Sequence, residues 1–307
     1  DFQGSRGLGD VYKRQRKTRS TISLNTKLRA YLLISFLAIC WGSIPLIIRT
    51  SDVSSMSLVG IRTFLGALFL LFFVLRKREL TKELLFSGIF LGPLLAIHWS
   101  TMFKSIELNT VAVGIGLVFS YPIFILIIEL LRGKNITFFQ VVIILIGFFG
   151  LYLLLDFRTI SSVAGVVYGL VSALSLAILI IYGSSKSIKF GGLNVAFVQV
   201  FFAAVILSPF TYSGISWMFD NLLVSIFLGF FLTGVGLATY WYVIKFISPV
   251  SIGTITYLEP VTGVIIGSII LNESLRSSQY FGFGIVLIVG ITQVFTDTKN
   301  QAQHLEN

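Results

Sequence analysis

Residues 256–275 read TYLEPVTGVIIGSIILNESL, an apolar run that carries a carboxylate and a proline side by side, Glu259-Pro260, in its first third. A helix rises about 1.5 Å per residue, so about 20 apolar residues cross the ~30 Å hydrocarbon core of a bilayer. A charge at that depth costs roughly 2.5–3.5 kcal/mol on insertion scales, so it normally faces a cavity or a partner. Proline removes a backbone N–H and bends the helix. A run that keeps both is expected to line a polar interior.

The rest of the chain supports the membrane setting. It has 307 residues, 55% of them hydrophobic and 12% charged, where soluble domains carry about 25% charged residues. Ten stretches read as spans: 30–49, 56–75, 84–104, 110–131, 138–155, 163–183, 193–210, 222–243, 251–271 and 279–296. Almost nothing remains for a soluble domain. The net charge of +10 does not point to a nucleic-acid partner, because the basic residues gather at one membrane face. With a cytoplasmic N-terminus, the inside segments hold 18 Lys and Arg, among them Arg76, Lys77, Arg78 and Lys82, against Arg49, Lys104, Arg158 and Arg276 outside. This positive-inside bias predicts a multi-pass protein of the cytoplasmic membrane with both termini cytoplasmic.

Residues 1–29 read as a basic cytoplasmic tail and 297–307 as a second tail. Within the first, DVYKRQ at 10–15 matches a translated sequencing adaptor, so residues 1–15 are set aside. No signal peptide is evident. Lone Cys40 cannot form an intramolecular disulfide.

Polar residues inside apolar stretches act as landmarks of an internal repeat. Arg62 in GIRTFLGA matches Gln199 in FVQVFFAA at an offset of 137, and Pro122 matches Pro260 at 138. Aromatic-rich ends run into Lys104 and Lys245 at an offset of 141, so one half carries a small insertion. The repeats are expected at 30–155 and 163–296. Five spans per repeat is odd, so the halves enter the bilayer in opposite orientations. Such inverted repeats place a binding site near the midplane and make alternating access the natural mechanism.

Residues 40–49 (CWGSIPLIIR), the arginine of GIRTFLGALFLL, and TYLEPVTGVIIGSIILNESL followed by QYFGFGIVLIVGI resemble the EamA-type members of the drug/metabolite transporter superfamily. The resemblance covers about residues 30–296. It implies an all-α integral membrane fold of ten helices in two inverted five-helix repeats, with the fifth and tenth helices peripheral. It also implies movement of small metabolites, with an exporter of an amino acid or related compound favoured. The spacing from Pro260 to Glu273 is its most specific feature. The first repeat departs from the pattern, with Tyr121 in the place of Glu259 and Asn135 in that of Glu273.

Glu259 is the expected coupling residue, a desolvated carboxylate that can exchange a proton in each cycle. Arg62 lies too deep to snorkel to the interface; it suits a bidentate grip on a substrate carboxylate, or a pairing with Glu259. Gln199 offers an uncharged amide to a substrate or to a neighbouring helix. Trp41, His98, Tyr121 and Trp241 are expected to line an amphipathic cavity whose rings can meet an amino group. Interfacial belts also produce aromatic clusters such as 98–99 and 240–242. Glu129 is left outside the site as an interfacial charge. Gly88/Gly92, Gly165/Gly169 and Gly263/Gly267 read as small-residue packing faces.

Competing functions find little footing. His98 and His304 are the only histidines, and no H-E-x-x-H motif, acidic pair or nucleophile elbow occurs. Catalysis, a metal and a cofactor are therefore not expected. A phosphate-cradling glycine loop and channel-filter repeats are also missing from the sequence. Sugar phosphates, nucleotide sugars and drug-like compounds stay open as substrates, although one arginine is sparse for a phosphate clamp. A monomer suffices for ten helices; small-residue faces leave a homodimer open.

Overall fold

The computed structural model describes residues 24–77, 79–109, 111–134, 136–155, 161–271 and 275–306. The first fifteen residues, Asn135, Arg158 and Glu273 thus lie outside the described residues. No described residue is in a β-strand. Nine described helices are long and apolar enough to cross a bilayer: Asn25–Ile48, Ser55–Lys77, Lys82–Leu108, Val113–Leu131, Phe138–Leu155, Val163–Phe190, Leu222–Val243, Pro249–Ile266 and Ser277–Thr296. The stretch read as the seventh span is a shorter helix, Gly192–Ile206. At 15 residues it covers about 22 Å. It stops at Leu207 because Pro209 opens a separate helix, Ser208–Ser213. We number these ten segments in chain order.

Three ends differ from the sequence reading. The first helix already begins at Leu24, within the segment read as the basic N-terminal tail. The sixth helix continues to Phe190, where Gly191 takes a positive φ of 89° and turns the chain. The tenth runs from Ser277 through Glu306, so the residues read as a C-terminal tail extend that helix.

Packing follows a regular pattern. The third segment packs on the sixth, and the eighth on the first; the second packs on the eighth, and the seventh on the third. The fourth packs on the sixth and the ninth on the first, and second–seventh, fourth–ninth and fifth–tenth contacts are also present. Exchanging each segment for the one five places along maps these pairings onto themselves, whereas the fifth–ninth and first–tenth contacts have no counterpart of similar extent. Around the outside, Phe36, Phe72, Phe86, Phe138, Phe149, Phe281 and Phe295 are exposed. An outward apolar surface of this extent is what lipid contact requires.

Close approach decides one crossing in particular. A Cβ on Gly92, in the third segment, would collide with the Phe202 side chain and lie 2.9 Å from the Ala203 backbone nitrogen of the seventh. Backbone cannot yield as a side-chain tip can. Gly92→Val should therefore destabilise the detergent-solubilised protein by about 1–3 kcal/mol, read as a lowered thermal unfolding midpoint. Gly284→Ala, whose Cβ meets nothing within 4 Å, should stay within about 0.5 kcal/mol of the parent. Equal losses at both positions would contradict the assigned crossing.

Candidate functional site

Three segments are broken, and each break is followed by a proline within the first three residues of the next helix. The first divides into Leu24–Trp41 and Ile44–Thr50, the fourth into Val111–Val118 and Tyr121–Leu131, and the ninth into Pro249–Ile255 and Leu258–Leu271. Proline fits a helix start, where its missing N–H would be unsatisfied anyway. The breaks touch. A Cβ on Gly42 would lie 2.7 Å from the Glu259 carbonyl oxygen and 2.6 Å from Thr262 Cβ, so only glycine lets the first break approach the ninth. On its other side the ninth meets the fourth: the Tyr121 and Thr256 hydroxyls are hydrogen-bonded. Thr256 also donates to the carbonyl oxygens of Ile252 and Gly253. Glu259 is held at this junction by the backbone bond from its N–H to Thr256 O, 2.9 Å.

The breaks form one wall of a cavity of about 950 Å³, its open mouth included. Trp41, Arg62, His98, Tyr121, Gln199, Trp241 and Glu259, the seven residues singled out from the sequence, all line it. Pro45, Trp99, Phe119, Tyr240 and Thr256 line it too, and no residue of the fifth or tenth segment does. On the first, third and fourth segments the lining lies in the halves next to the connection at 51–54 and to Asn109. Near the opposite end of the bundle, Glu83 pairs with Lys186 and Lys189, and Asn194 donates to Glu79.

Arg62 is buried, and its Nε donates to Thr233 Oγ1 at 3.0 Å. Its guanidinium carbon lies 4.1 Å from the centre of the Trp99 ring, a cation–π arrangement. Thr233 belongs to a π-helical stretch, Phe227–Val235, within the eighth segment. There the Thr233 hydroxyl donates to Leu228 O, five residues back, at 2.8 Å. The Trp41 indole donates to Leu232 O at 2.7 Å, tying the first segment to the same stretch. π-helical turns frequently mark functional sites because they redirect side chains locally.

No ion pair joins Arg62 to Glu259 among the described residues, so the alternative of a direct pairing is not realised. The two line the same cavity as separate ionisable groups. Gln199 Oε1 accepts from Trp241 Nε1 at 2.6 Å, giving Gln199 the interhelical bond that an uncharged amide can make. His98 ties the third segment to the sixth: Ser172 Oγ donates to His98 O, and His98 Nδ1 lies 2.8 Å from Ser172 Oγ. The serine proton is already spent on the carbonyl, so Nδ1 must donate and Nε2 carries the ring's lone pair. Glu129 is buried outside the cavity, paired with Arg132 and Lys134.

Three partners escaped the sequence reading. Thr233 sits in FLGFFLTGV without any motif around it, and its role depends on a π-helical register that apolar periodicity does not reveal. Trp99 and Tyr240 fall in clusters that also read as interfacial belts. Exposure separates them: Trp99 and Tyr240 are buried, whereas Tyr242 is 48% exposed.

The model of the EamA-like transporter family matches residues 28–156 and again 163–295. An uncharacterized transporter, YvbV of Bacillus subtilis strain 168, is 26% identical over 290 residues, covering 90% of this chain and 94% of its own. An uncharacterized transporter of Archaeoglobus fulgidus is 23% identical over 257 residues, 83% of this chain and 92% of its own. The uncharacterized inner membrane transporter YedA of Escherichia coli K12 is 24% identical over 262 residues, 82% and 86% of the two chains. A solved structure described only as the crystal structure of a protein superposes with a TM-score of 0.70 at 16% identity, covering 85% of this chain and 96% of that one.

Thr233→Val removes the acceptor that Arg62 Nε uses and leaves a charged donor buried. The expected loss is about 1–3 kcal/mol in unfolding free energy, and Thr233→Ser should recover most of it. Unchanged stability in the valine variant would show that Arg62 has another acceptor.

Proposed function

This chain belongs to the EamA-like transporter family, and from that premise we propose that it is a secondary transporter exporting a small zwitterionic metabolite of the amino-acid type across the cytoplasmic membrane. Arg62 holds the substrate carboxylate, the rings of Trp41 and neighbouring aromatics hold its amino group, and Glu259 carries the coupling proton. The observation that carries this reading is the placement of a guanidinium, Arg62, and a carboxyl group, Glu259, on one aromatic-walled cavity. A single chain supplies the whole lining, so a monomer suffices.

The two matches of the family model and the self-mapping packing support two repeats that exchange roles between an inward and an outward state. The lining toward 51–54 and Asn109 supports an outward-facing conformation. The basic inside segments support cytoplasmic termini. A proton or substrate shifts the equilibrium only by its differential affinity for the two states. A carboxylate that changes charge inside a low-dielectric cavity supplies such a difference.

The test is uptake of radiolabelled amino acids and related metabolites into proteoliposomes, with and without an imposed pH gradient. Gradient-driven accumulation of at least one compound is expected. Glu259→Gln should abolish the accumulation, and full coupling in that variant would remove Glu259 from the mechanism. Arg62→Gln should raise KM by about 10- to 100-fold, the worth of a charge-assisted hydrogen bond to a carboxylate. No movement of any compound by folded protein would sink the proposed substrate class.

A further inference from the structure

Gln199 is fully buried, and its Nε2 has no hydrogen-bond partner among the described residues. The orientation of the amide is fixed rather than arbitrary. Trp241 Nε1 can only donate, so the atom 2.6 Å from it must be the amide oxygen. The NH₂ group therefore faces away from Trp241 with two N–H bonds to place. The next residue along from that indole, Tyr240, repeats the situation: it is 5% exposed, and its hydroxyl has no partner among the described residues. Its ring stands edge-on to Trp241 at 5.3 Å and lies 6.0 Å from Trp41. Both residues line the cavity.

Buried polar atoms in native proteins are nearly all paired, and each exception calls for a cause. Five described residues carry such an unpaired side-chain atom, and Gln199 and Tyr240 are the two of them that line the cavity; both can donate and neither is charged, which gives them a common cause in a ligand atom that accepts. The position within the repeat sharpens this. Gln199 stands 137 residues from Arg62, so matched places in the two halves present a cation and a neutral amide to one cavity. Arg62 satisfies an ionic group; Gln199 and Tyr240 provide no charge to balance one.

We infer that Gln199 and Tyr240 form a neutral polar subsite that receives an uncharged hydrogen-bond acceptor, a carbonyl, ether or hydroxyl oxygen, on the side chain of the transported metabolite. The inference rests on the zwitterion reading of the cavity and adds to it a selection for oxygenated over purely apolar side chains. An apolar side chain at this place leaves the two donors without a partner, whereas an oxygen supplies one. Sites built to hydrogen-bond a substrate group reject analogues lacking that group far more strongly than apolar pockets reject a methylene.

Equilibrium dialysis of the purified full chain with two radiolabelled matched pairs, L-tyrosine with L-phenylalanine and L-threonine with L-valine, tests this. In at least one pair the oxygenated member should bind tighter than its partner by about tenfold or more. Tyr240→Phe and Gln199→Met should each collapse that ratio to within about threefold. A merely structural role would weaken both members alike and leave the ratio standing. Tyr240→Phe keeps the ring and its packing, so it decides the matter even where Gln199→Met fails to fold. Equal binding within both pairs of the parent protein, or a ratio that survives in Tyr240→Phe, overturns the subsite. Binding that is lost in Arg62→Gln yet lacks any preference within pairs overturns the subsite alone. Binding of no member by folded protein overturns the zwitterion reading and the subsite's occupant with it.

Discussion

Water is absent from the hydrocarbon core, so a polar atom placed there bonds to the protein or to a ligand. Much of the internal architecture can be read from that constraint. Helices satisfy their own backbone, and the chain can be irregular at membrane depth only where other protein covers the irregularity. The three broken segments obey this by meeting each other. Gly42 lets the first break close on the Glu259 carbonyl, and the Tyr121–Thr256 bond joins the fourth to the ninth. Glu259-Pro260 is tolerated within an apolar run because it lies at this shared junction, on a cavity wall.

Arg62 is governed by the same rule with higher stakes. A guanidinium carries five N–H donors and cannot shed its charge. The structure engages it by two means: the Thr233 hydroxyl and the face of Trp99. Only the first is a hydrogen bond. The π-helical stretch that offers Thr233 also offers the Leu232 carbonyl to Trp41, so one local departure from α geometry organises two cavity residues on different segments. A regular α-helix there would rotate the residues that follow by about 100°, a little over a quarter of a turn, because a π turn inserts one extra residue.

The two halves treat matched positions differently. Arg62 stacks on the tryptophan of the third segment, Trp99, while Gln199 accepts a hydrogen bond from the tryptophan of the eighth, Trp241. Each half thus joins a polar residue of its second helix to an indole of its third, once with a charge and once without.

The apolar lengths of the chain determined the helical membrane fold by themselves, because hydrocarbon thickness translates directly into residue number. The cost of a polar group in that setting singled out Arg62, Gln199 and Glu259, and the aromatic residues followed as plausible neighbours. Tertiary structure alone decided which of those groups are already satisfied. Apolar patterning does not encode a π-helical register, so Thr233 was invisible as the partner of Arg62. Composition does not distinguish an indole in an interfacial belt from one against a guanidinium, so Trp99 and Tyr240 were ambiguous. Whether a buried donor is paired depends on the few ångströms between segments far apart in sequence, and only packing sets that distance.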